Sequence, residues 1–135
     1  MFGQGDLHEA LARSDYLVLA CPLTDETRGM IDGDAFDTLP PSSVLVNVAR
    51  GPVVETGALV SALRGHEIRG AALDVTDPEP LPEDHPLWTL SNAFITPHSS
   101  GHTPEYYERL ADIVAENLGR AAETGSFTDL RNQVR

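Results

Sequence analysis

The chain has no lysine and one cysteine, and these absences narrow the kind of protein it is. With Cys21 alone there is no internal disulfide, as is usual in a reducing compartment. No apolar run approaches the length of about 20 residues that a membrane-spanning helix needs. The first residues also lack the basic segment and apolar run of a secretory signal. Together these absences predict a cytoplasmic protein.

Positive charge is scarce throughout the chain. Nine arginines face 21 acidic residues, which gives a formal net charge of −12 at pH 7. Such an acidic surface repels nucleic acid and anionic membranes, so neither is expected as a partner. Two explanations of the acidity remain open. One is an arginine-favouring genome, and the other is adaptation to high salt, which screens the repulsion between the acidic groups.

Strand and helix signals alternate along the 135 residues, which suffice for one domain with a hydrophobic core. Short apolar runs predict buried strands at 15–22, 43–49, 68–75 and 92–97. Amphipathic or capped segments predict helices at 7–14, within 24–40, at 54–67 and at 103–124. This order predicts an α/β fold with a parallel sheet of the kind that helices cover on both faces.

Polar side chains follow several of these strands, where the functional loops of parallel sheets lie. Arg50 follows the second strand and His98 the fourth, whereas the third ends near Asp74, with Glu79 five residues further on. Each residue alone has an ordinary explanation: a surface cation, a structural histidine, a helix cap or a solvated loop acid. Their arrival at one edge of the predicted sheet favours a shared site.

These residue types suit one class of reaction. The guanidinium of Arg50 keeps its charge, so at the tip of an apolar strand it must meet water, a carboxylate or an anionic ligand. Arginine grips a carboxylate with two hydrogen bonds, and histidine exchanges a proton near neutral pH. A carboxylate on the far ring nitrogen fixes the tautomer of the imidazole. The set suits interconversion of a 2-keto acid and a 2-hydroxy acid, with a cofactor carrying the hydride.

Four ordered segments resemble the signatures of the D-isomer-specific 2-hydroxyacid dehydrogenases. They are NVARG at 47–51, ALVSALRGHEIRGAALDVTDPEPLP at 58–82, HPLW at 85–88 and TPHSSG at 96–101, and the segment 15–32 is similar as well. The resemblance implies a partial Rossmann-like, doubly wound parallel sheet and NAD or NADP as cofactor. It implies a small 2-keto or 2-hydroxy acid as substrate, such as glyoxylate, hydroxypyruvate or a phosphoglycerate-like acid. It also implies a homodimer in the complete enzyme.

The same resemblance assigns roles to individual residues. Arg50 would bind the carboxylate and carbonyl of the substrate, His98 would be the acid/base, and Glu79 would pair with it. Asp74 would contact the nicotinamide end of the cofactor. Further residues expected to line the cofactor are Cys21, Pro22, Thr27, Val48, Ala49, Ser100 and Gly101. No zinc-ligand spacing surrounds Cys21 or the histidines, so no metal site is expected.

One position refines the resemblance. The related formate dehydrogenases carry a glutamine where this chain has Glu79, because hydride abstraction from formate needs no proton transfer. Glu79 therefore favours hydroxy-acid chemistry.

The chain lacks the G-x-G-x-x-G loop that holds a pyrophosphate, and the acidic residue that binds the adenosine ribose is also absent. We therefore expect the C-terminal portion of such an enzyme. Residues 1–102 would be the second half of the NAD-binding domain, and 103–135 a helix and tail that pack on a substrate domain outside this chain. The first predicted strand would then be an exposed edge. We expect the chain alone to be marginally stable, to self-associate through that edge and not to turn over substrate.

Two other functions remain open. One is a non-catalytic module that senses NAD and binds a partner, as in transcriptional corepressors that resemble this family, although no basic tail or low-complexity segment supports it. The other is an inactive, truncated relic. The upstream coding sequence would discriminate, because a strand followed by G-x-G-x-x-G restores the enzyme.

Overall fold

A four-stranded parallel sheet organises most of the protein, whose computed structural model describes residues 5–133. The strands lie side by side in chain order: β1 (Tyr16–Leu19), β2 (Val44–Asn47), β3 (Gly70–Leu73) and β4 (Ala93–Ile95). Each lies inside its predicted segment and is shorter, because only three or four residues join the hydrogen-bonded ladder. The predicted α/β class with a parallel sheet is confirmed.

Helices connect the first three strands. Helix α1 (Leu7–Leu11) precedes β1, α2 (Gly33–Thr38) lies between β1 and β2, and α3 (Thr56–Gly65) lies between β2 and β3. Short 3₁₀ turns at Gly51–Val53 and Pro86–Trp88 follow β2 and precede β4. The side chain of Asp32 begins α2 by accepting a hydrogen bond from the amide of Ala35 at 3.0 Å.

Residues 25–29 form turns and Ile31 forms an isolated parallel bridge with Val54. The helical content predicted within 24–40 is therefore confirmed only in its second part. The Thr27 hydroxyl accepts a hydrogen bond from the amide of Thr24 at 2.8 Å, and that of Thr24 accepts one from the amide of Thr27 at 3.3 Å. Gly29 then adopts a positive φ of 63°. Side-chain hydroxyls that bond to nearby backbone offer the chain an alternative to a helix.

The two faces of the sheet have different surroundings. The strands follow one another across the sheet, so right-handed connections place α2 and α3 on the same face. There Phe36 of α2 and Leu63 of α3 are buried together with Leu45 of β2. On the other face Val18 is 58% exposed and Phe94 67% exposed. Among the described residues of 5–100, α2 and α3 thus lie on one face of the sheet, and Val18 and Phe94 are exposed on the other.

Contacts divide the chain into two compact units, Met1–Ser100 and Gly101–Arg135. The domain roles predicted for 1–102 and 103–135 stay a prediction. In the part of the chain that the structure describes, no helix is both long and apolar enough to cross a bilayer.

The second unit consists of α4 (Tyr106–Thr124) and a tail that folds back on it. The helix ends at Gly125, which has a positive φ of 66°, in agreement with the predicted end. The side chain of Asn117 accepts a hydrogen bond from the amide of Arg131 at 2.8 Å and donates one to its carbonyl at 3.0 Å. Arg131 also pairs with Glu116 at 2.9 Å. These bonds hold the tail beside the last turns of α4.

Gly51 occupies a position where a side chain does not fit. It follows Arg50 in the first residue of a 3₁₀ turn, and a Cβ there would overlap the backbone carbonyl of Thr76. The hydroxyl of Thr56 fastens the same region by donating a hydrogen bond to the carbonyl of Asp77 at 2.7 Å. The turn after β2 and the loop after β3 therefore lie in backbone contact.

We expect Gly51→Ala to lower the free energy of unfolding by about 1–3 kcal/mol, because the backbone must shift to admit the methyl group. Urea unfolding of the chain measures this. Gly57→Ala is the matched control, since Gly57 lies in α3 with no atom within 4 Å of its Cβ position. It should gain up to about 1 kcal/mol through helix propensity. Equal unfolding midpoints for the two variants would contradict the predicted overlap.

Candidate active site

Three strands deliver predicted site residues to the same edge of the sheet. Asp74 directly follows β3, Arg50 lies three residues after the end of β2, and His98 lies three residues after the end of β4. Because the strands are parallel and adjacent, their carboxyl ends meet at one edge. The side chains that the sequence singled out are thereby brought to one part of the surface.

His98 and Glu79 form a direct pair. Nδ1 of His98 lies 2.7 Å from Oε1 of Glu79, and the two side chains remain 47% and 41% exposed. An ionised carboxylate only accepts hydrogen bonds, so Nδ1 carries the proton of this bond. Nε2 is then the ring nitrogen left to exchange a proton with a ligand. The backbone of His98 has a positive φ of 54°, an uncommon conformation for a residue with a side chain.

The carboxylate of Asp74 holds the loop that carries His98. Asp74 is only 6% exposed, and its oxygens accept hydrogen bonds from the Thr96 hydroxyl at 2.6 Å and from the amides of Ser99 and Ser100 at 2.9 and 2.8 Å. Burial by itself would raise the pKa of Asp74, but the bonds from Ser100 and Thr96 and from the two amides outweigh it and lower the pKa well below its usual range. Asp74 is therefore ionised at any physiological pH.

Sequence reasoning missed this use of Asp74 and missed Thr96 altogether. The resemblance assigned Asp74 only to the cofactor, and the structure adds three hydrogen bonds that its carboxylate accepts from the loop after β4. The available signal was a hydroxyl residue directly after a strand, two residues before His98. A buried carboxylate on the neighbouring strand needs such donors.

Arg50 extends from a turn that a buried asparagine shapes. Asn47, at 1% exposure, donates a hydrogen bond to the carbonyl of Arg50 at 3.1 Å and accepts one from the amide of Ala49 at 3.0 Å. The exposed guanidinium of Arg50 donates to the carbonyl of Ala49 at 2.6 Å. Among the ion pairs of the described residues, none includes Arg50. Its charge is thus available to an anion.

The residues expected to line the cofactor lie mainly around the ends of β1 and β2. Cys21 is half-buried after β1, and the Thr27 hydroxyl donates to the carbonyl of Pro22 at 2.8 Å. Val48 is 37% exposed, whereas Ala49 is buried. Ser100 lies on the loop that Asp74 holds, and Gly101 belongs to the second unit. In the part of the chain that the structure describes, no group of three or more His, Cys, Asp or Glu residues is arranged to hold a metal ion.

The chemical character of these residues suits one end of a bound dinucleotide. The half-exposed apolar surface of Cys21 and Val48 suits a flat ring, and it lies at the sheet edge that also carries Asp74 and Arg50. Ligand sites of open parallel sheets lie at this edge.

Comparison with known proteins agrees with the geometry. Residues 2–100 match the family model described as "D-isomer specific 2-hydroxyacid dehydrogenase, NAD binding domain". The chain belongs to this family, as its motifs predicted. NAD or NADP is the cofactor class of this domain.

Individual relatives match over most of this chain. The glyoxylate reductase of Pyrococcus furiosus is 45% identical over 112 residues, which cover 83% of this chain and 33% of that protein. The human glyoxylate reductase/hydroxypyruvate reductase is 42% identical over 110 residues, covering 82% of this chain and 34% of that protein. The chain thus spans about a third of the length of these relatives.

A solved structure confirms the Rossmann-like fold of this family. The D-isomer specific 2-hydroxyacid dehydrogenase from Xanthobacter autotrophicus Py2, in complex with NADPH and MES, superimposes with a TM-score of 0.87 at 39% identity. The match covers 100% of this chain and 54% of that one.

Replacing Asp74 with asparagine should destabilise the protein by about 2–3 kcal/mol at pH 7, because charge-assisted hydrogen bonds are lost in a buried position. The native pKa is lowered, so the contribution is complete above the unfolded pKa of about 4 and is lost as the pH falls below it. Chemical unfolding of both proteins from pH 7 to pH 3 should show the difference shrinking toward acid.

Asp84→Asn is the control, since Asp84 is exposed and should change stability little. A difference between wild type and Asp74→Asn that stays constant over this pH range would contradict the role of the ionised carboxylate.

Proposed function

We propose that this chain supplies the acid/base and the substrate-anchoring cation of an enzyme that interconverts 2-keto and 2-hydroxy acids with NAD(P). The observation that carries the proposal is the 2.7 Å bond between His98 and Glu79, on a loop held by the buried Asp74. Arg50 lies at the same edge of the sheet without an ionic partner among the described residues. The non-catalytic alternative has no comparable observation in its favour.

The proposed mechanism assigns one task to each group. Arg50 binds the carboxylate of the keto acid and polarises the adjacent carbonyl. When bound, NAD(P)H would supply the hydride for C2 of the substrate. His98, with a proton on each ring nitrogen, donates the one on Nε2 to the carbonyl oxygen as negative charge develops there. Glu79 stabilises the imidazolium before the transfer and holds the ring in place. In the reverse direction His98 accepts the proton of the hydroxyl group.

The cofactor would lie along the ends of β1, β2 and β3. Cys21, Pro22 and Thr27 after β1, and Val48 and Ala49 after β2, would line it. Asp74, Ser100 and Gly101 would complete its nicotinamide end. Asp74 has one bond on Oδ2 and two on Oδ1, so the carboxylate retains acceptor capacity for a further donor.

Further properties of the complete enzyme belong to the same proposal. The lone Cys21 supports a cytoplasmic location, and the family resemblance supports a homodimer. The charge of −12 supports adaptation to high salt. That the chain alone does not turn over substrate stays a prediction.

A chimera tests the reaction with this chain's own residues. The 112-residue matched segment of the Pyrococcus furiosus glyoxylate reductase is replaced by the corresponding part of this chain. We expect NADH-dependent reduction of glyoxylate that falls by about 10²- to 10⁴-fold in kcat for His98→Asn, because the proton donor is lost.

His66→Asn is the matched control, since His66 has the same φ of 54° and asparagine tolerates this conformation. Its kcat should stay within about twofold, as for a surface substitution away from the site. Equal kcat for the His98→Asn chimera and the unsubstituted chimera would refute the assignment of His98.

Arg50→Lys in the same chimera should raise KM for glyoxylate by about 10- to 100-fold, because lysine cannot form the two parallel hydrogen bonds. KM for NADH should stay within about twofold, because the contact is with the carboxylate of the substrate. Steady-state kinetics with each substrate varied in turn measures both values. Arg64→Lys, on the exposed side of α3, is the control. A rise confined to the KM of NADH would instead place Arg50 at the cofactor.

A further inference from the structure

A cavity of about 280 Å³ opens beside the proposed acid/base pair. Its apolar walls are Pro80, Leu81, Trp88 and Ile95, and Glu79 and His98 form part of its polar side. We call it the Trp88 cavity. Its size is near the lower end of the range for small-ligand sites, and its composition, mainly apolar with a few polar groups, is typical of them.

Trp88 is a fixed wall rather than a freely rotating side chain. Its indole Nε1 donates a hydrogen bond to the carbonyl of Pro82 at 2.8 Å. The 3₁₀ turn that carries it begins at His85, whose Nδ1 accepts a hydrogen bond from the amide of Leu87 at 3.3 Å, and Leu87 is buried. Even so, Trp88 remains 52% exposed, which leaves a large apolar surface beside His98.

The Trp88 cavity lies at the ends of β3 and β4, beside His98. Arg50 follows β2, Asp74 follows β3 and His98 follows β4, and the cavity is lined from the ends of β3 and β4. Adjacent strands are about 4.8 Å apart, so Arg50 and His98 start about two strand spacings from each other. A 2-keto acid that bridges them, with its carboxylate on Arg50 and its carbonyl on His98, crosses the end of β3, where Asp74 and Thr76 line the cavity. Its third substituent on C2 then has the cavity within reach.

The charge of the cavity restricts that substituent. Its lining includes the carboxylates of Asp74 and Glu79, and neither arginine nor lysine is among the described residues that line it. Asp74 stays ionised, as its lowered pKa requires. A phosphate or a second carboxylate at this place would face like charges with no cation to pair with, which is unfavourable in a partly buried site.

We propose that the Trp88 cavity receives the C2 substituent of the substrate and selects 2-keto acids whose substituent is uncharged and apolar. The inference rests on the proposed function, because that function sets the positions of the carboxylate and the carbonyl. It adds a specificity-determining residue, Trp88, and excludes phosphorylated and dicarboxylic keto acids as good substrates.

Nuclear magnetic resonance on the full 135-residue chain tests the proposal, since Trp88 is the only tryptophan and gives a single indole N–H signal. Three ligands are titrated: glyoxylate without a substituent, 4-methyl-2-oxopentanoate with an apolar one, and 2-oxoglutarate with a charged one. We expect 4-methyl-2-oxopentanoate to shift the Trp88 signal saturably. Glyoxylate should shift the ring signals of His98 alone, and 2-oxoglutarate should leave Trp88 in place.

Two variants distinguish the contribution of the cavity to binding from that of the rest of the site. Trp88→Ala should lower the affinity for 4-methyl-2-oxopentanoate about tenfold and leave the affinity for glyoxylate within about twofold, because a pocket discriminates by the part of the ligand it contacts. The His98 ring signals measure both affinities. Phe94→Ala is the matched control, an exposed aromatic residue on the open face of the sheet that should change neither.

Three outcomes overturn the proposal. They are a Trp88 signal unmoved by 4-methyl-2-oxopentanoate, an equal shift of that signal with 2-oxoglutarate, or an equal loss of affinity for 4-methyl-2-oxopentanoate and glyoxylate in Trp88→Ala. Failure of the proposed function has a separate readout, the absence of glyoxylate reduction by the chimera. In that case a saturable, substituent-dependent shift at Trp88 still supports an apolar keto-acid cavity.

Discussion

The buried carboxylate of Asp74 is the interaction on which the site depends. It lies at the end of β3 and accepts three hydrogen bonds from the loop after β4, at 2.6 to 2.9 Å. An unpaired charge in such a position is strongly unfavourable, so the loop must keep its donors in place as long as the protein is folded. This constraint holds His98 with a positive φ and with Nδ1 on Glu79. The position of His98 is therefore fixed by a residue on the neighbouring strand.

The order of the strands determines the order of the site residues along the sheet edge. Because β2, β3 and β4 lie side by side, their ends present a cation, a buried acid and a histidine in that sequence along one edge. Under the proposed function, a small anionic keto acid would span this row, with its charged end at Arg50. The Trp88 cavity lies beside His98, at the ends of β3 and β4. One edge of a small sheet would then hold the carboxylate, the reacting carbonyl and the substituent of the substrate.

Much of this arrangement followed from the sequence, because apolar runs and the residues after them report strands and strand ends. The four strands, α3 and α4 were predicted in this way, whereas the pairing of Glu79 with His98 was predicted from the family resemblance. The roles of Thr96 and Asn47 were not, since a hydrogen bond between side chain and distant backbone leaves no periodic pattern. The turns at 25–29 were missed for a related reason. The hydroxyls of Thr24 and Thr27 bond to local backbone in a way that polar composition does not distinguish from the start of a helix.

The backbone contact between Gly51 and Thr76 couples two segments of the site. Together with the bond from Thr56 to the carbonyl of Asp77, it joins the turn that carries Arg50 to the loop that leads to Glu79. Displacement of one segment should therefore move the other with it. We expect the distance between the guanidinium of Arg50 and the pair of His98 and Glu79 to vary less than the position of either group.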